Sequence, residues 1–167
     1  VFLKMDEFQR RLGTADALGP AVLETMDNAR ACSDIMRGFV QRTVNFVYAG
    51  FTRLDGVTEC SSVPGVHDMS QNGAFQQFTD SPGTLVTTSQ DGLATDRSVV
   101  VVIQPLYRGV ELLGYINVSM THDLLRSSHV SAMGTEGARI LTFNTQGQIL
   151  SSDSDSEDDL AQVLPRG

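Results

Sequence analysis

Between residues 98 and 120 the chain reads SVVVVIQPLYRGVELLGYINVSM, two strand-like apolar runs around Pro105 and the Arg108-Gly109 pair. The first is apolar at every position from 99 to 103, so it needs cover on both faces and belongs inside a sheet. The second alternates. Tyr115, Asn117 and Ser119 share one face, while Ile116, Val118 and Met120 share the other. The apolar set is expected to face helices or core, which leaves the polar set toward solvent or toward a pocket. Earlier in the chain, FTRLDGVTECSS at 51–62 is a hairpin signal. Its Asp55-Gly56 pair tolerates the positive φ angles of a tight turn.

These segments sit in a chain whose periodicity changes once. Val1, Met5, Phe8 and Leu12 repeat at helical spacing until Gly13 and Thr14 interrupt them. Asp16 can cap a second helix running to about residue 43, with Leu18, Val22, Met26, Ala29, Cys32, Met36, Phe39 and Val40 near one face. Gly19 and Pro20 fall in its first turn, where a residue without an N–H does least harm. A single sheet is not expected to cover both helices, so residues 1–43 are assigned to helix-to-helix contacts in a homodimer. From residue 44 the period shortens. Strands are expected at 44–54, 57–62, 84–89, 98–107 and 112–121, with a loop at 63–73, a short helix near 74–79 and a return helix at 122–131. The sum is an α+β module over 44–131, a five-stranded antiparallel sheet with helices on one side. A further hairpin, ARILTFNTQGQIL, opens the segment 132–167. Its Phe, Gly turn and Ser-Ser exit echo those of 51–62, so 132–167 reads as the first hairpin of a second such module.

The net charge of −8 argues against nucleic acid as a partner, because that binding is driven by basic patches. Five of the acids fall between 153 and 159, and without them the charge is −3. This run reads as a solvated acidic loop, with weak cation binding as the alternative. It lacks the glycine and the spaced glutamate of a calcium loop. No apolar run reaches the roughly 18–20 residues that span a bilayer. The opening at Val1 suggests an excised piece, whose membrane segments are expected to lie outside it. Cys32 and Cys60 are too far apart in sequence for a zinc pair. They are either two small buried apolar residues or one disulfide joining the N-terminal helix to the first hairpin, and the latter implies an oxidising compartment. His67, His122 and His129 form no helical metal pair, and no nucleotide loop or nucleophile elbow is present. Neither catalysis nor a cofactor is expected.

In their order and spacing, DG…CSS and PL…G…GYINVS resemble the extracytoplasmic sensor domains of bacterial membrane receptors, the Cache (PAS-like) family. The resemblance covers roughly 44–121. The helix cysteine together with CSS adds to it, in the direction of modules ahead of diguanylate-cyclase or histidine-kinase outputs. It implies a periplasmic, non-enzymatic ligand-sensing domain of a membrane-anchored signalling protein, and double Cache domains repeat the module as 132–167 suggests. It also implies a small-molecule site between the sheet and the cover at 62–80. That cover offers Val66, His67, Asp68, Met69, Phe75 and Phe78. The floor would come from Thr87 and Ser89, Gln104 and Tyr107, then Tyr115, Asn117 and Ser119. Arg97 at the rim could hold a carboxylate. Read alone, these polar residues also suit an ordinary solvent face, and Arg97 a turn in water. The family's amino-acid binders carry a Tyr/Arg/Trp/Tyr…Asp signature. AFQQFTD at 74–80 has neither Arg nor Trp, and Asn117 or Ser119 stands where the Asp is expected. The ligand class is therefore open, and a protein-interaction or dimerisation domain without any small ligand is the alternative.

Overall fold

Asn28 decides how the chain enters its sheet. The computed structural model describes residues 17–44, 46–89, 92–95, 97–122, 141–143 and 149–152. The single helix expected from 16 to 43 is in fact two, α1 (Leu18–Thr25) and α2 (Ala29–Arg42). Asn28 is extended and its side chain accepts a hydrogen bond from the Ala31 N–H at 3.1 Å, capping α2. A short polar side chain that bonds nearby backbone competes with helix continuation, even where the apolar period runs straight through. The expected helix at 1–12, the one at 122–131 beyond its first residue, and the acidic run at 153–159 lie outside the described residues.

The strands are β1 (Phe46–Arg53), β2 (Val57–Thr58), β3 (Cys60–Ser61), β4 (His67–Asp68), β5 (Leu85–Ser89), β6 (Val99–Arg108) and β7 (Glu111–Thr121), with α3 (Gly73–Asp80) between β4 and β5. Five of them form one antiparallel sheet in the order β3-β1-β7-β6-β5. β6 is flanked on both sides, as its all-apolar start requires. The return strand expected over 57–62 divides. β2 leaves to pair with β4, while β3 pairs with β1. The Asp55 carboxylate accepts from the Val57 N–H at 2.9 Å within the turn, and the Thr52 and Thr58 hydroxyls share a hydrogen bond of 2.7 Å. A separate antiparallel hairpin joins β8 (Leu141–Phe143) to β9 (Ile149–Ser152).

Two cores lie on opposite faces of the sheet. On one, Leu18 and Val22 of α1 and Cys32, Met36 and Phe39 of α2 pack with Ala49, Phe51, Val100, Val102, Ile116, Val118 and Met120. The sheet covers both halves of the helix expected over 16–43, with α1 docking near Leu106; the other helix in the expected dimer contact, at 1–12, lies outside the described residues. Cys32 and Cys60 form a disulfide, with 5.4 Å between their Cα atoms, that ties α2 to β3. On the other face Phe75 and Phe78 of α3 pack with Val99, Val101, Ile103 and Tyr115. The cover helix therefore sits opposite α1 and α2, so helices flank both faces rather than one. Gly114 has φ +150°, and a Cβ there would run into the Thr52 carbonyl of β1, so only glycine lets β7 lie this close.

Candidate ligand cavity

The strand alternation of β7 sets the floor. Ile116, Val118 and Met120 belong to the helix-side core, so Tyr115, Asn117 and Ser119 face the other way. Register then places Gly50 and Ile103 beside Asn117, and Tyr48 and Val101 beside Ser119. Val99, Val101 and Ile103 of β6 form an apolar stripe across the middle, and Thr87 and Ser89 of β5 extend the floor. Asp68, Met69, Asn72, Ala74 and Gln77 roof it from β4 and α3, with Gly92 and Leu93 at one side. Asn72 starts α3 by accepting the Ala74 N–H at 2.9 Å. The cavity, partly open to solvent, is about 700 Å³, within the size range of small-molecule sites.

Tyr48 reaches this floor through a bulge. Phe46 packs in the helix-side core, Val47 against the α3-side core, and Tyr48 faces the cavity, with the β1–β7 register shifting between Phe46 and Tyr48. Its ring then lies over Gly50, where a Cβ would overlap the phenol. Burial pushes the Tyr48 phenol far above the ordinary tyrosine range. The Ser61 and Asn117 side chains soften this, and Tyr115 adds to it. Neither Ser61 nor Asn117 completes a hydrogen bond of ordinary geometry with that hydroxyl. Tyr48 Oη, Thr88 Oγ1 and Asn117 Oδ1 are all buried without a partner. Buried polar atoms are ordinarily paired; Tyr48 and Asn117 leave two orphans on the cavity side, whereas Thr88 stands in register with Val100 of the helix-side core.

Tyr115 is clamped from behind, with Phe78 at 4.7 Å and Phe75 at 6.3 Å between ring centroids. Burial raises its phenol also, and the Thr52 hydroxyl beside it acts in the opposite direction. At the mouth, Asp68 accepts the Ser70 N–H at 2.9 Å, and this bond keeps its exposed carboxyl below the usual range.

Of the residues expected at a site, the structure brings Asp68, Met69, Thr87, Ser89, Tyr115, Asn117 and Ser119 to this cavity. The others lie elsewhere. Phe75 and Phe78 stand behind Tyr115 rather than on the wall. His67 pairs with Thr58 and alternates away from Asp68. Gln104 has the opposite parity to Ile103 and accepts from the Thr84 hydroxyl at 3.0 Å. Tyr107 lies beyond the irregularity at Leu106 and is exposed beside the β6–β7 turn. Arg97 is exposed, with its main-chain N–H on Thr95 Oγ1. Tyr48, Asn72 and Gln77 were not anticipated. The Tyr48-Ala-Gly50 spacing is their one sequence signal, a large ring two residues before an absent side chain. Among the described residues no group of three or more His, Cys, Asp or Glu could hold a metal ion.

No family profile matches the sequence, and no curated protein does. Solved structures do match the fold. The ligand-binding domain of the Campylobacter jejuni chemoreceptor Tlp3, in complex with L-norvaline, aligns with a TM-score of 0.64 at 14% identity, over 89% of this chain and 63% of that one. The ligand-binding domain of the Pseudomonas aeruginosa PAO1 amino acid chemoreceptor PctB, in complex with L-Arg, gives 0.66 at 15%, over 95% and 68%. A domain of a putative sensory box/GGDEF family protein from Vibrio parahaemolyticus gives 0.63 at 12%, over 94% and 68%. The chain spans about two thirds of the length of these structures. Its fold is the α+β fold of Cache-like sensory domains, as the sequence resemblance implied.

Proposed function

We propose that this chain is the extracytoplasmic ligand-sensing part of a bacterial transmembrane receptor, binding a small molecule in the cavity over β7 and transmitting the event through its N-terminal helices. The cavity carries the reading: it lies under a loop-plus-helix cover, and two buried polar atoms on its floor, Tyr48 Oη and Asn117 Oδ1, lack partners. The shared fold with chemoreceptor sensory domains supports it, and the disulfide suits a periplasmic setting. Among the described residues no helix is long and apolar enough to cross a membrane, so an anchor would lie in other segments. In this reading 1–43 carries dimerisation and output, 44–131 senses, and 132–167 begins a second module. The module itself catalyses nothing. A ligand that favours one arrangement of sheet and helices biases the output by its differential affinity, about 1–3 kcal/mol in typical couplings.

The test is a thermal-shift screen against amino acids, organic acids, amines, purines, sugars and divalent cations. A ligand at 100 times its Kd stabilises by about 2.7 kcal/mol, enough to read directly. The rise should vanish in Ala74→Phe, which fills the cavity from α3. A panel without any hit, or hits that survive this substitution, would overturn the assignment of sensing to this cavity.

A further inference from the structure

We propose that the cavity selects an uncharged, hydrogen-bonding small molecule and that Asn117 is the residue that reads it; this rests on the sensor reading above. Among the described residues that line the cavity there is no lysine, arginine or histidine. The one charged group is Asp68, which is exposed at the mouth and bonded to the Ser70 N–H. A carboxylate, a phosphate or an ammonium carried to the floor would lose its water without meeting an opposite charge, and that loss is severe in a buried site. A zwitterion has only Asp68, at the mouth, to meet its ammonium, and no cation among the described lining residues to meet its carboxylate.

The floor is nevertheless polar. Asn117 is 5% exposed, lies between Gly50 and Ile103 in the sheet register, and its Oδ1 has no hydrogen-bond partner. The Tyr48 hydroxyl, on a residue 2% exposed, stands beside it in the same condition. Asn117 cannot change sides, because Ile116 and Val118 on either side of it are packed into the helix-side core. A ligand N–H or O–H meets the carboxamide oxygen, and a ligand acceptor meets the phenol. Beside them on the same floor, Val99, Val101 and Ile103 offer an apolar strip. The complementary molecule is neutral, with a hydrogen-bonding edge and an apolar face. The missing side chain at Gly50 admits the Tyr48 ring, so the two reading groups are placed together by one glycine.

The experiment uses matched pairs on the oxidised chain, followed by isothermal titration: glucose against glucuronate, uracil against orotate, and N-acetyl-leucinamide against leucine. The neutral member of at least one pair should bind with a Kd at least tenfold below its charged counterpart. Asn117→Leu should weaken that binding at least tenfold while Tyr48→Phe weakens it less. If Asn117→Leu lowers the melting temperature below the working range, Asn117→Ser supplies the same readout with less apolar bulk. A charged member that binds as well as its neutral counterpart overturns the selectivity and leaves the sensor reading standing. So does binding that is indifferent to Asn117 in either variant. Silence from all pairs, with a charged hit in the wider screen, likewise overturns selectivity alone. Silence in both screens overturns selectivity and sensing together.

Discussion

Reducing the Cys32–Cys60 disulfide is the perturbation whose magnitude follows most directly from the structure. The two residues are 28 apart in sequence, and closing a loop of that size lowers the entropy of the unfolded chain by an amount worth roughly 3.6 kcal/mol at 25 °C. Both sulfurs lie in the core where α2 meets β3, at 0% and 3% exposure. After reduction the thiols stay packed as small apolar groups, so the loss is mainly that of the cross-link. Against a typical domain stability of about 5–15 kcal/mol this is a large fraction. For a chain of this size each kcal/mol moves the melting temperature by about 2–4 °C, so the reduced protein should melt roughly 7–14 °C lower. The assay is a pair of thermal melts with and without a phosphine reductant, alongside intact mass. The oxidised chain should be lighter by two hydrogens, and a tryptic peptide should join Cys32 to Cys60. Two free thiols in the native protein would refute the link itself. An intact link with melts that coincide within about 2 °C would refute the chain-entropy account of what it contributes.

Alkaline pH should destabilise the domain. Tyr48 and Tyr115 have phenols raised above the ordinary 10.0, so above about pH 10 the unfolded chain releases protons that the folded chain retains. Their contribution is complete below that value and lost as pH rises above it. Urea midpoints from pH 8 to 11 should fall, and Tyr48→Phe should flatten the fall; a flat wild-type profile would contradict the burial of both rings. Asn28→Ala removes the cap of α2 and should lower stability by about 1 kcal/mol, with helix content nearly unchanged. Equal stability in the variant would mean that the Ala31 N–H finds an equivalent partner. Gly50→Ala should leave β1 paired but force the Tyr48 ring toward the cavity, weakening any ligand found by the screen more than it lowers the melting temperature. The reverse order of effects would show that Gly50 serves only the sheet.

The interior of the sheet was legible because β6 and β7 announce themselves by pattern. An unbroken apolar run needs two covered faces, and a strict alternation assigns residues 115–120 of β7 to a face before any coordinate is known. Hence Tyr115, Asn117 and Ser119 were placed together, although whether they met water or a cavity was open. Parity failed where the strand is not regular. Tyr48 follows Phe46 by two residues and by alternation belongs with it, yet the bulge at Val47 sends them to opposite sides. The irregularity at Leu106 similarly separates Tyr107 from the stretch that lines the site. No propensity marks either irregularity, since each depends on how the partner strand runs. Asn28 is a different case. The apolar period crosses it undisturbed, while its extended backbone and its side-chain bond to Ala31 mark where one predicted helix becomes two.

The same alternation that builds the site also gives the ligand's effect a route to the helices. β7 is the middle strand, and consecutive residues serve different cores: Asn117 looks into the cavity, while Ile116 and Val118 pack with α2 and its neighbours. Close-packed interiors pass on displacements of this kind rather than absorbing them, because no void is available on the far side. A ligand that draws Asn117 toward its N–H or O–H therefore acts on the floor beneath Met36 and Phe39 through a single layer of backbone. The disulfide makes the outcome a coupled one. β3, at the edge of the sheet, is covalently joined to Cys32 of α2, so the helix follows the sheet instead of sliding over it. With the bond reduced, a ligand of unchanged affinity should move α2 less. A distance label between α2 and β6, read with and without reductant at saturating ligand, measures that difference. Equal displacements in the two states would show that packing alone carries the motion and that the covalent tie contributes stability only.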